Sequence, residues 1–488
     1  MSFLLDTLRE HARRAPRFAA LEDGCGRVMN RADLVAAVEA EIVALHATLR
    51  GFDRPVALLA DRSIELCVLD LALMECGVPV LSLPLFFTAA QREHALAQSG
   101  AQMLVRDGSV QGATTPGAEL VREVLPAHGA CGQIPARTAR ISYTSGSTGS
   151  AKGVCLSADN LLAVARGVVD AVGTQNVGRH LAVLPPGVLL EDVAGCHASL
   201  LSGATYIAPS MKDVGLAAPF QPDFARMAAR VAATGATSLI LVPEYLSGLA
   251  ACLAHTGLRL PSLTLVAVGG ARVAPALLER ARAVGLPVRQ GYGLTECGSV
   301  VSLHDGTADG VGSAGRALGA HALRIAEDGE VLVEGPKFLG CIGAPLSPAA
   351  QRGAWRTGDI GRIDSDGRLW IEGRKSNLII TSFGRNISPE WIESLLLEQR
   401  AIAQALVRGE GAASLSALIV PRGQVAAQDI DAAIAAVNAA LPEYARIRHW
   451  RRALPFTPAN GQLTGNGRLR RPQILAQYPM EESADAVL

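Results

Sequence analysis

The segment Tyr143-Thr-Ser-Gly-Ser-Thr-Gly-Ser-Ala-Lys-Gly153 puts three glycines, five Ser or Thr residues and one lysine into eleven positions. Glycines let backbone N–H groups converge on an anion, hydroxyls donate further bonds, and a lysine adds charge. That inventory suits a polyphosphate. It is not a Walker loop, which needs GxxxxGK[ST]; here Gly149 stands three residues before Lys152. Taken alone, the segment is also compatible with a mobile Gly/Ser loop.

Three other segments carry comparable chemistry. Gly291-Tyr-Gly-Leu-Thr-Glu296 follows an apolar run. A ring, a hydroxyl and a carboxylate at a strand end can stack a base, touch a phosphate and hold Mg²⁺. Trp355-Arg-Thr-Gly-Asp359 sets a carboxylate after a tight turn, where it can accept bonds from ribose hydroxyls; a plain capped turn is the other reading. Gly373 to Asn386 carries Arg374 and Arg385, eleven residues apart, around an apolar strand.

Such residues need a frame, and the hydrophobic pattern supplies one. Helical spacing over Arg31–Leu49 and Ile64–Cys76 alternates with strand-like runs at Pro55–Ala60 and Val78–Leu83. The rhythm continues with strands at His180–Leu184, Ala204–Ala208, Leu239–Val242, Leu263–Val268 and Pro287–Gln290. Helices are expected between them at Asp223–Thr234 and Pro275–Val284. This is the signature of parallel sheets flanked by helices. From about residue 311 short strands joined by Asp328-Gly329 and Asp366-Gly367 suggest a smaller, more antiparallel region. After Gly373 about 115 residues remain, enough for a separate small domain.

Composition narrows the function classes. Apolar residues at 49% and charged residues at 18% over 488 positions imply large cores and more than one domain. Forty-five basic residues balance 45 acidic ones, which argues against nucleic acid as a partner. No apolar run is long enough for a membrane span, and Asp6 and Glu10 break the N-terminal stretch that a signal peptide would need. Nine scattered cysteines without CxxC pairs fit reduced thiols in a cytoplasmic protein.

In this order and spacing, the four motifs resemble the adenylate-forming superfamily: acyl-CoA synthetases, luciferases and peptide-synthetase adenylation domains. The resemblance spans the whole chain. It implies an α/β fold, with a large N-terminal domain of two doubly wound sheets plus a small β-barrel-like sheet, and a small mobile C-terminal α+β domain. Residues 1–374 would bind ATP and the acid, and residues 377–488 would form the mobile domain, with a hinge near 375–376 at Ser376. Thr144, Ser145, Gly146, Ser147, Thr148, Gly149 and Lys152 match the loop that grips the β- and γ-phosphates of ATP. Gly269, Gly270 and Ala271 match the turn facing adenine. In Gly291-Tyr292-Gly293, Tyr292 matches the ring stacked on the base. Thr295 matches the hydroxyl near the α-phosphate, and Glu296 the Mg²⁺ carboxylate. Asp359 matches the ribose carboxylate, and Arg374 the arginine beside ribose and phosphates. Gly384 and Arg385 resemble the loop that lines the thiol tunnel after the domain turns.

The resemblance implies that a carboxylate attacks the α-phosphorus of ATP to give an acyl-AMP and pyrophosphate. A thiol then attacks the carbonyl and releases AMP. The acceptor would be CoA or the phosphopantetheine of an acyl or peptidyl carrier protein acting in trans. Two departures bear on this. Many relatives end in Thr-Gly-x-Gly followed by a catalytic lysine; here Thr464-Gly-Asn-Gly leads to Arg468, and no lysine follows Lys375. Arginine keeps the charge but not the shape of an ammonium. Arg468 is therefore expected either to support adenylation in the lysine's place or to mark a non-catalytic protein that binds a nucleotide or a partner. The second departure is Val188, Leu189 and Leu190, which stand where relatives carry a histidine or aromatic ring in the acyl pocket. They favour a fatty or other hydrophobic acid, unless they are simply core. The C-terminal arginines (Arg446, Arg448, Arg451, Arg452, Arg468, Arg470 and Arg471) could meet CoA phosphates or an acidic carrier, or form a solvated basic face.

Overall fold

The computed structural model describes residues 3–49, 51, 53–108, 119–126, 131–145, 151–217, 221–382, 385–464 and 468–479. They form two compact units. The first holds residues 1–357 and 362–370, and the second 358–361 and 371–488, so the division falls within the strands Trp355–Ile363 and Leu369–Arg374.

Two large sheets organise the first unit. One has nine strands, in the order Arg316–Ala317, Ser302–Leu303, Val288–Tyr292, Leu265–Val268, Ser238–Leu241, Arg179–Leu181, Thr205–Ile207, Ala19–Glu22 and Val28–Asn30. From Val288–Tyr292 to Ala19–Glu22 every neighbouring pair is parallel. The other sheet has eight strands and a parallel centre, Thr138–Ser145, Val80–Ser82, Val56–Leu59 and Met103–Asp107. Parallel strands covered on both faces are shielded from water on both sides and mostly apolar. Ser238–Leu241 and Val80–Ser82 are indeed buried at every position.

Helix boundaries follow local chemistry. Asn30, Ser63, Ser157 and Asp223 each accept a hydrogen bond from the backbone N–H three residues on, which starts a helix. The N-terminal residues weighed above as a leader form the helix Phe3–Arg14, with Leu4, Leu5 and Leu8 in the core. The strand expected to reach Leu184 stops at Leu181. The N–H groups of Val183 and Leu184 turn to the Glu191 carboxylate instead, and Pro185 and Pro186, which cannot donate to a ladder, follow. Beyond them Glu191–His197 is a π-helix, a rare form often found at functional sites.

In the second unit Ile402–Arg408 pairs antiparallel with Leu415–Pro421, which pairs in parallel with Ile447–Arg452. The helices Pro389–Leu397 and Ala427–Ala440 bury Ile392, Leu396, Ile430 and Ile434 in this unit's core. This is a small α+β domain, as expected.

Candidate active site

The two flanks of the expected phosphate segment lie on paired strands. Thr138–Ser145 and Ala151–Ser157 pair antiparallel, and Thr144 stands opposite Lys152. Lys152 therefore rides on a strand, with an exposed side chain. Gly146, Ser147, Thr148 and Gly149 lie outside the described residues, as does Gly384 in the second unit.

The segments expected to face the base meet at the carboxyl ends of two adjacent parallel strands. Leu265–Val268 runs into Gly269-Gly270-Ala271, and Val288–Tyr292 ends at Gly291 and Tyr292. A Cβ on Gly269 would lie 3.4 Å from the Gly291 carbonyl oxygen, so the two turns are in contact. Gly270 has φ +87°, a left-handed value that glycine adopts without strain. Carboxyl ends of parallel strands are where open α/β sheets take ligands. Tyr292 is half-buried against a small cluster of Cys297, Val301 and Val333.

Thr295–Cys297 forms a single 3₁₀ turn, pinned on both sides. Ser299 N–H and Cys297 N–H both donate to the Leu294 carbonyl at 3.1 Å, and Val301 N–H donates to the Tyr292 carbonyl at 2.8 Å. Gly293 is needed here, because a Cβ would fall 1.8 Å from the Ser299 carbonyl oxygen. The Glu296 carbonyl accepts from Phe338 N–H at 2.6 Å. The chain then runs on to the lysine strand, where Leu339 N–H donates to the Cys155 carbonyl at 2.8 Å and Ile342 N–H to that of Gly153 at 2.9 Å. Residues 338–342 thus stitch the Glu296 turn to the Lys152 strand. Cys341, between them, feels both charges: burial pushes its thiol up, Glu296 adds to that and Lys152 opposes it. Burial beside Glu296 pushes Cys297 up to about 12, so this thiol stays protonated.

The second unit carries the other candidates. Arg374 Nη1 donates to Asp359 Oδ1 at 2.8 Å, with the carboxylate largely buried and the guanidinium half exposed. Ser376 lies in the 3₁₀ turn Lys375–Asn377. Arg385 N–H donates to Thr381 Oγ1 at 3.2 Å, and its guanidinium lies 5.7 Å from the centre of the Tyr444 ring. Arg468 has an exposed side chain, and its backbone is bonded to Thr464.

Several of the C-terminal arginines are engaged within their own unit. Arg471 bonds the buried Glu393 and the Val407 carbonyl. Arg452 bonds the Val425 carbonyl at 2.8 Å, and Arg446 that of Leu441 at 3.3 Å.

In the acyl segment Leu189 is buried in the largest core cluster, while Val188 is half-buried. Sequence reasoning missed what surrounds them. Glu191, His180, Arg140 and Arg62 are buried polar residues next to this segment. Their partners lie far off in sequence, and the local hint was only a charged residue among apolar ones.

Comparison with known proteins points to one family. Residues 8–343 match the model of the AMP-binding enzyme family, and residues 376–483 match that of the AMP-binding enzyme C-terminal domain. The 2-succinylbenzoate–CoA ligase of Bacillus subtilis is 30% identical over 409 residues, covering 78% of this chain and 79% of that protein. A long-chain-fatty-acid–CoA ligase of Mycobacterium bovis is 31% identical over 245 residues, 44% of this chain and 41% of its own length. Among solved structures, o-succinylbenzoate coenzyme A synthetase from Bacillus subtilis in complex with ATP and magnesium ion superimposes with a TM-score of 0.76. It is 25% identical, and the match covers 96% of this chain and 98% of that one.

Proposed function

The chain belongs to the AMP-binding enzyme family and is an adenylate-forming enzyme of the acyl-CoA ligase type; from that premise we propose that it activates a hydrophobic carboxylic acid, aryl or fatty, and passes the acyl group to CoA. The observation that carries this is the stitching of the Glu296 turn to the Lys152 strand through residues 338–342. Together with the Cys341 thiol, on which both charges act, it supports a shared site for Lys152 and Glu296 within the first unit.

Each residue then has a task. Gly269 to Ala271 and Tyr292 would flank the adenine, and Asp359, oriented by Arg374, would accept from the ribose hydroxyls. Lys152 would neutralise phosphate charge, and Thr295 would donate to the α-phosphate. Arg468 would bridge the acid carboxylate and the α-phosphate, offsetting charge as the bond to phosphorus forms. Ser376 would serve as the pivot between two orientations of the second unit, bringing Arg385 to the thiol path.

The donor set fits magnesium. Among the described residues no group of three or more His, Cys, Asp or Glu side chains could cage a metal ion. Mg²⁺ prefers one or two carboxylates, with water and substrate phosphates completing its shell. Glu296, a half-buried carboxylate, meets that need. When bound, the ion would offset the negative charge of the phosphate groups.

The names of the relatives support CoA as acceptor and span aryl and long-chain acids. The half-buried Val188 and Leu190 support an apolar acid. The test is mass spectrometry of acyl-CoA after incubation with ATP, Mg²⁺, CoA and a panel of aryl and fatty acids. Acyl-CoA from at least one acid supports the reading. Acyl-AMP that never reaches CoA would move the acceptor to a carrier thiol. Arg468 favours a second reading, a protein that binds nucleotide without adenylating; ATP binding with no acyl product from any acid would support it.

A further inference from the structure

The segment 184–190 crosses from one large sheet towards the other. It leaves the strand Arg179–Leu181, turns at Pro185-Pro186-Gly187 and enters the π-helix at Glu191. At Gly187, φ +79°, a Cβ would lie 3.2 Å from the backbone nitrogen of Pro84, just past a strand of the other sheet. Buried polar side chains grip both ends of this crossing.

Glu191 is 2% exposed. Its Oε2 accepts from Leu184 N–H at 3.2 Å and from Val183 N–H at 3.4 Å. Its Oε1 lies 3.0 Å from His180 Nε2. The other ring nitrogen, Nδ1, lies 2.9 Å from Ser238 Oγ, which donates to the Val177 carbonyl at 2.9 Å. A hydroxyl has one hydrogen and a carbonyl can only accept. Ser238 therefore gives its proton to Val177 and accepts from His180 Nδ1–H. The contact between Nε2 and Oε1 must then hold a proton of its own, carried by the ring or by the carboxyl group.

The π-helix makes room for this arrangement. A Cβ on Gly195 would fall 2.2 Å from Glu191 Oε1 and 2.8 Å from His180 Nε2. The neighbouring Asp192 faces the other way, with Oδ2 3.7 Å from Arg140 Nη1. Arg140 belongs to the other sheet and also holds Asp70 at 2.6 Å and Ser82 at 2.9 Å. Consecutive residues thus tie the π-helix to both sheets. At the near end, Arg62 donates to the Leu184 carbonyl and, at 2.9 Å, to that of Pro209.

We propose that Glu191, paired with His180, is a positioning residue for the acid: it fixes the Pro185–Leu190 crossing and thereby the wall against which the acyl group packs. This rests on the acid-activation reading above, which puts Val188 at that wall. The proton between ring and carboxyl makes the chemistry specific. Glutamine can donate to an unprotonated Nε2 and still accept from Leu184 N–H, so Glu191→Gln preserves the grip. Leucine can do neither.

The test uses the full chain and two readouts. Hydrogen exchange of peptides covering 184–190 reads the grip without any substrate. Pyrophosphate release reads KM for ATP and for whichever of benzoate, phenylacetate, hexanoate and palmitate the unaltered protein turns over fastest. Glu191→Leu is expected to speed exchange in 184–190 and raise KM for the acid about tenfold, with KM for ATP changed less than about twofold. Glu191→Gln is expected to behave as the unaltered protein in both. Should Glu191→Leu fail to fold, His180→Phe keeps a ring against Tyr206, which stacks at 5.9 Å, while removing the partner of Oε1; the same pattern is expected. Unchanged exchange, or KM values for ATP and acid that rise together, would overturn the proposal. If the unaltered protein released no pyrophosphate with any acid, acid activation would fail instead, and the exchange arm would still decide the grip.

Discussion

Thr464 and Arg468 are bonded to each other in both directions. Arg468 N–H donates to Thr464 Oγ1 at 3.0 Å, and Thr464 N–H donates to the Arg468 carbonyl at 2.8 Å. Leu463 and Leu469 pair just outside them in a short antiparallel bridge. Arg468 thus has an anchored backbone and an exposed side chain. A fixed stem with a charged tip suits electrostatic work on a developing phosphoryl charge, where one donor is worth on the order of a hundredfold in rate.

Arg468→Ala is therefore expected to lower acyl-AMP formation by about two orders of magnitude, with ATP binding nearly unchanged. Arg468→Lys restores the point charge and is expected to adenylate at least as fast as the unaltered protein. Single-turnover formation of acyl-AMP measures both. Equal rates for Arg468→Ala and the unaltered protein would remove the role assigned to this residue.

If Asp359 holds the ribose as proposed, Asp359→Ala is expected to weaken ATP binding about tenfold or more, since it removes that acceptor and the partner of Arg374. Arg374 is half exposed, so the ion pair itself adds less than about 1 kcal/mol to stability. Calorimetric titration with ATP and a thermal melt separate the two effects. A large drop in melting temperature at unchanged ATP affinity would show a structural role instead.

Gly293→Ala tests whether the 3₁₀ turn bearing Thr295 and Glu296 is set by backbone packing. The added methyl would meet the Ser299 carbonyl at 1.8 Å, where backbone must move to relieve it. The expected cost is about 2 kcal/mol or more, with loss of pyrophosphate release even in the fraction that stays folded. Near-normal activity would mean that the turn tolerates a shift.

Asp192 and His197, both on the π-helix, are expected to pull stability in opposite directions with pH. Burial pushes the Asp192 carboxyl up to about 7, against the pull of Arg140. Its protonated form is thus favoured in the fold, and its contribution is lost as pH rises from about 4 to 7. Burial lowers His197 to about 4, helped by Arg140, so its contribution is lost as pH falls from about 6.5 to 4. The two largely cancel in that window. Asp192→Asn is expected to gain stability relative to the unaltered protein as pH rises from about 4 to 7, and His197→Asn to lose it from about 4 to 6.5. Melting curves over this range check the slopes; parallel curves for all three proteins would contradict both assignments.

Much of the frame was legible because its signals are local. Helical spacing located Arg31–Thr48 and Ile64–Glu75, and apolar runs located Val80–Ser82 and Ser238–Leu241. The π-helix was not legible, since the spacing of Glu191 to His197 reads equally as an ordinary helical turn. Nor were the anchors. His180 meets Ser238 across 58 positions, and Arg62 meets Leu184 across 122, distances at which no local pattern carries information. Gly195 looked like any other small residue; only the placed carboxylate of Glu191 shows why a side chain is excluded there. Among the candidate site residues, Lys152 and Glu296 were singled out by motif, whereas the link between their segments through residues 338–342 came from the fold.

The most direct measurement is pyrophosphate release by the full chain with ATP, Mg²⁺ and single carboxylic acids from acetate to long-chain fatty and aryl acids. Release that depends on an apolar acid, and that falls when Arg468 is replaced by alanine, is the expected result. ATP binding with no release above the acid-free rate, for every acid, would contradict carboxylate activation by this protein.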